Sequence, residues 1–152
     1  MIDNTTTLSP VPRPEYWPLD AFVGKWRTTG NMVAGEGQRD HKIIGADTYE
    51  WLPGGFFMMH KVDVSIGAER VQTTEIIGYD DSTNNYMMHF FDNKGQSGLT
   101  YASIRDGIWT FASDTMKFTG RFSDDGRVMS GVWQQAREGS WEFLMNIKLT
   151  KE

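Results

Sequence analysis

The sequence predicts a single all-β domain, a closed antiparallel up-and-down barrel of about ten strands, and three observations predict it. Short apolar or alternating runs recur between clusters of Gly, Asp and Asn, spaced roughly every dozen residues as in a meander. Several of these runs place apolar side chains at every second position, the pattern of a strand with one dry and one wet face. No helices stand between the runs to cover an open sheet, so closure is the simplest way to bury the dry faces and remove the edges.

Taken in order, residues 1–14 carry Pro10, Pro12 and Pro14 among polar residues and read as an extended N-terminal arm, with the barrel over 15–152. Pro18-Leu19-Asp20-Ala21-Phe22 reads as one helical turn, with Pro near its start, placed to plug one barrel end. Strands are expected over 22–32, 41–51, 56–66, 69–79, 85–92, 97–105, 107–113, 115–122, 127–136 and 140–150. Gly67-Ala68, Asp106-Gly107, Asp125-Gly126 and Glu138-Gly139 are among the separators and suit tight hairpin turns, so successive strands pair antiparallel. In the last strand Trp141, Phe143, Met145, Ile147 and Leu149 share one face, and Glu142, Asn146 and Lys148 the other. Met58, Val62 and Val64 alternate in the same way with Lys61, Asp63 and Ser65. A parallel sheet buried on both faces would not alternate like this.

Composition removes several functions. The 152 residues contain no cysteine, so disulfides, thiolate nucleophiles and cysteine-ligated metals are excluded. The net charge of −5 is spread along the chain, and no stripe of Lys or Arg could follow a phosphate backbone, so nucleic acid is not an expected partner. No apolar run approaches membrane-spanning length, and the start has neither a basic nor a long apolar stretch, so a soluble cytoplasmic protein without membrane contact is expected. The glycines form no phosphate loop or dinucleotide fingerprint, and the serines lie in no Gly-x-Ser-x-Gly nucleophile motif.

Phe22-Val23-Gly24-Lys25-Trp26-Arg27 resembles the Gly-x-Trp signature of lipocalin-like (calycin) barrels, in which the first-strand Trp packs across one barrel end. Gly45-Ala46-Asp47-Thr48-Tyr49-Glu50-Trp51-Leu52-Pro53-Gly54-Gly55-Phe56-Phe57, followed by Gly78-Tyr79-Asp80, resembles a bacterial lipocalin-like family catalogued as a domain of unknown function. That resemblance covers roughly residues 20–150 and implies the fold without implying an activity. A more distant resemblance in shape is to the haem-carrying nitrobindin group, which ligates iron through a histidine near its C-terminal strands. Here the three histidines are His41, His60 and His89, so the departure from that pattern argues against haem, and no cofactor or metal is expected. Lipocalins also set a basic residue from the last strands against the Trp, and Lys148 is the nearest candidate.

One register follows from the sequence itself. If Gly67-Ala68 forms a type II′ turn, Ile66 faces Glu69 and His60 faces Glu75. The same register pairs Met58 with Ile77, Val62 with Thr73 and Val64 with Val71, a mostly apolar face that points inward. An imidazole beside a carboxylate in an apolar interior suits acid/base chemistry or the orientation of a ligand, and equally a pair that satisfies itself. A five-residue loop from Asp80 to Asn84 would bring His89 beside Glu75, whereas the four-residue turn Asp81 to Asn84, which turn chemistry favours, would send His89 outward.

Tyr49, Met58, His89, Trp109, Trp133 and Trp141 complete the set of expected lining residues, with Gln135 a weaker member. The function expected is binding of a small apolar or amphipathic molecule inside the barrel, with His60 and Glu75 fixing its polar end. Two alternatives stand beside it. One is an isomerase, cyclase or hydrolase with His60 as base and Glu75 as its orienter; the other is a solidly packed barrel whose outer face makes a homodimer.

Overall fold

The computed structural model describes residues 10–152. Of the expected N-terminal arm, residues 1–9 lie outside the described residues, and residues 10–13 take no regular structure. A 3-10 helix, Pro14–Phe22, follows, longer at its start than the single turn expected from Pro18. Pro14 is accommodated because the first-turn amides have no partner within the helix, and proline's φ suits the helical backbone at both Pro14 and Pro18.

Ten antiparallel strands then close a barrel: β1 (Gly24–Met32), β2 (His41–Trp51), β3 (Met58–Ile66), β4 (Glu69–Asp80), β5 (Asn85–Asp92), β6 (Ser97–Arg105), β7 (Ile108–Ala112), β8 (Met116–Phe122), β9 (Val128–Arg137) and β10 (Ser140–Lys151). Each strand pairs with its sequence neighbours, and β1 pairs with β10 to complete the circle, so no edge strand is left open. Hairpin chemistry sets these pairings. Asp106 and Gly107 both have positive φ (52° and 78°), as do Glu138 and Gly139 (50° and 81°), the type I′ pattern whose twist matches that of the flanking strands.

The core is concentrated at the end where the helix docks. Leu19, Phe22, Trp26, Met58, Ile77 and Trp109 are each no more than 3% exposed. Phe22 drops from the helix onto the rings of Tyr49, Trp109 and Phe122, with centroids 5.1, 4.9 and 4.9 Å away. Trp26 donates its indole N–H to the Phe22 carbonyl at 2.7 Å, and Tyr86 donates its hydroxyl to the Glu15 carbonyl at 2.6 Å, so the plug is tied to two strands by polar contacts as well as by area.

Three expectations are corrected here. The basic side chain set against Trp26 is Lys151, whose Nζ lies 5.5 Å from the ring centroid, because the β1/β10 register pairs these two residues; Lys148 is on the outer face. Trp141 and Phe143 do not share the inner face with Met145, Ile147 and Leu149. A bulge between Phe143 and Met145 inserts one residue against β9, and since side chains alternate, one inserted residue turns everything before it to the other face. Trp141 is consequently 38% exposed, with Lys117 Nζ 5.0 Å from its ring. His89 is exposed on the outer face, because the connection is the four-residue turn Asp81 to Asn84 and Glu75 therefore pairs with Phe90.

Candidate functional site

Gly67 has φ +61° while Ala68 does not have a positive φ, the type II′ arrangement, and the β3/β4 register that follows pairs Ile66 with Glu69 and His60 with Glu75. His60 and Glu75 point into the barrel at 8% and 9% exposure. Glu75 Oε1 lies 2.9 Å from His60 Nδ1.

The other side of the imidazole is occupied by a residue that was not among those expected. Asp47, on β2, brings Oδ2 to 2.6 Å from His60 Nε2, and its Oδ1 accepts a hydrogen bond from the Thr28 hydroxyl on β1. Four adjacent strands thus supply one continuous row, Thr28, Asp47, His60 and Glu75. Tyr49, directly opposite His60 across the β2/β3 ladder, lies flat on the imidazole with ring centroids 3.8 Å apart and planes 7° apart. The row was partly visible in the sequence: Asp47 alternates with Ile43 and Tyr49 and so shares their inward face, an acidic residue on an apolar stripe.

Burial opposes a charge on His60, but the hydrogen bonds and charges of Asp47 and Glu75 outweigh it and lift its pKa from 6.5 to about 9. At neutral pH the ring is an imidazolium donating at both nitrogens. Tyr49 is pushed well above its ordinary range by burial first and then by Asp47 and Glu75, so its phenol stays protonated.

Above this row, toward the end away from the helix, lies a cavity of about 410 Å³. Its walls are mainly apolar, among them Val62, Val64, Met88, Phe90, Met129 and Leu149, and neither Lys nor Arg lines it. Tyr49 and Trp133 of the expected lining residues reach it. Met58 and Trp109 belong to the packed floor beneath it and are 0% and 1% exposed, while Trp141 and His89 are excluded by the bulge and the turn described above.

The histidines do not suit an iron ligated from the C-terminal strands. His41 and His89 are exposed on β2 and β5, and both nitrogens of His60 are already engaged. Among the described residues no group of three His, Cys, Asp or Glu side chains is disposed to hold a metal ion, and no helix is long and apolar enough to cross a membrane.

A family model described as a protein of unknown function, DUF1579, matches residues 11–127. Comparison with curated proteins gives no match. Among solved structures 16 chains match. One is the crystal structure of Rv2717c from M. tuberculosis, which is 12% identical and superimposes with a TM-score of 0.65 over 92% of this chain and 98% of that chain. At that identity the likeness is one of fold.

Proposed function

We propose that this chain, which belongs to the DUF1579 family of proteins of unknown function, binds a small apolar or amphipathic molecule inside its barrel, with the polar end of that molecule on the Asp47–His60–Glu75 row. The observation that carries the proposal is the cavity of about 410 Å³, of a size and mainly apolar character typical of small-molecule sites, with its ionisable groups, Asp47, Tyr49, His60 and Glu75, gathered at one end. Such a division favours a ligand with an apolar body and one polar group, because each buried polar atom on either side then finds a partner.

Binding is better supported than general-base catalysis. A base needs a lone pair within reach of the proton it removes, whereas both ring nitrogens of His60 are protonated and donate to carboxylates. A solidly packed interaction module is also less supported, since packed cores seldom leave voids much larger than a water molecule.

Titration with N-phenyl-1-naphthylamine, a neutral dye whose fluorescence rises in apolar surroundings, tests the proposal. One saturable site per barrel is expected. Thr73→Trp, which places an indole in the cavity wall, should weaken binding by about tenfold or more. Absence of saturable binding, or equal affinity in a folded Thr73→Trp protein, would overturn it.

A further inference from the structure

The hydrogen bonds of the row are unequally distributed. Both oxygens of Asp47 are used, one by Thr28 and one by His60. Glu75 gives only Oε1 to His60, and among the described residues Oε2 has no hydrogen-bond partner. Glu75 lines the cavity and is 9% exposed, yet among the described residues no fully enclosed side-chain oxygen lacks a partner, so Oε2 is reached from the cavity. A buried carboxylate oxygen open on one side only is an acceptor waiting for a donor.

Charge points the same way. The row holds two carboxylates against a single imidazolium, and no Lys or Arg lines the cavity, so one negative charge is uncompensated in an apolar enclosure. An anionic headgroup brought to this floor would face repulsion and would find no free donor on His60. A cation with N–H groups would supply both the missing charge and the missing hydrogen bond, and a charge-assisted N–H to carboxylate contact is among the stronger ones available.

Resting on the binding function proposed above, we infer that the ligand class is an amphipathic amine, whose ammonium donates to Glu75 Oε2 while its hydrocarbon body fills the Val- and Phe-lined space toward the open end. Fatty acids and other anionic amphiphiles of the same size are discriminated against by that carboxylate, since selectivity includes the repulsion of the wrong partner.

Three probes sharing one tail separate this from the binding proposal. By isothermal titration calorimetry at neutral pH, n-octylammonium should bind about tenfold or more tighter than 1-octanol, with octanoate weakest. Glu75→Gln should bring n-octylammonium down to the level of 1-octanol measured on the same variant, with near-ultraviolet circular dichroism confirming its fold. If 1-octanol binds as well as n-octylammonium in the wild type, or if the amine keeps its advantage in folded Glu75→Gln, the amine inference is overturned and the cavity as a binding site stands. If none of the three binds, both fall. The wild-type ranking requires no substitution, so it decides the matter even if Glu75→Gln does not fold.

Discussion

At the helix end of the barrel the inward side chains of β1, β3 and β4 are Trp26, Met58 and Ile77, whereas further along the same strands they are Thr28, Val62 and Thr73. Alternation is the same at both ends; side-chain volume is not. Large groups meet across the helix end and Phe22 fills the space that remains, with Trp109 and Phe122 edge-on to it at 4.9 Å. Short β-branched groups cannot reach across a ten-stranded barrel, and about 410 Å³ stays open. The polar row sits at the boundary between the two. It is deep enough to be desolvated and close enough to the cavity for Glu75 to line it. A barrel can therefore place a packed core in one half and an open cavity in the other by grading residue size along each strand.

If that division holds, the largest loss of stability should come from the packed half. Trp26 is 1% exposed and bonded to the plug through Phe22, so Trp26→Ala should destabilise by about 3–5 kcal/mol in guanidinium unfolding. A loss below about 1 kcal/mol would place Trp26 at the periphery and break the comparison.

The boundary row should show itself through pH. The pKa of His60 in the folded protein, about 9, is above its ordinary value of 6.5, so the stabilisation from its protonation is fully present below about pH 6.5 and is lost as pH rises through about 9. Thr28, Tyr49, Asp47 and Glu75 are the groups facing it, and the Tyr49 phenol, raised well above its ordinary range, stays protonated through this window. Unfolding free energies measured between pH 6 and pH 10 should fall by on the order of 3 kcal/mol. Glu75→Gln, which removes one of the two charges, should flatten the slope, whereas Trp26→Ala should lower every point and leave the slope alone. A wild-type profile flat across this range would mean that the row does not hold a charged imidazole.

How much of this could be read from the sequence depended on whether local residues fix the register. Gly67-Ala68 leaves little choice of turn, and the pairing of His60 with Glu75 follows from it. The connection from Leu52 to Phe57 contains Pro53-Gly54-Gly55 and permits several registers, so the diagonal approach of Asp47 to His60 was not determined by turn chemistry, although period two already placed Asp47 on the inner face. The turn before His89 was legible as the four-residue choice, and the structure takes it. The cavity was not legible: alternation tells which side chains point inward, but whether they meet depends on the barrel's width at each level. Nor was the flip in β10, because the bulge falls in Phe143-Leu144-Met145, where no glycine or proline marks it and the run of three apolar residues is the only local sign.

That flip supplies the smallest and sharpest of the expected effects. Before the bulge, Phe143 pairs with Gln134 and Trp141 with Ala136; after it, Met145 pairs with the inward Trp133. Trp141 therefore lies outside the barrel wall, with the ammonium of Lys117 over its ring at 5.0 Å. A cation over an exposed indole contributes about 0.5–1 kcal/mol, so Trp141→Ala should cost no more than about 1 kcal/mol and leave dye binding in the cavity unchanged. An uninterrupted strand predicts the opposite on both counts, because it would turn Trp141 inward near the cavity mouth, where truncation costs about 3 kcal/mol or more and alters the binding wall. The two measurements on one variant thus decide whether the graded interior ends at Met145, as the bulge requires, or continues to the tip of the last hairpin.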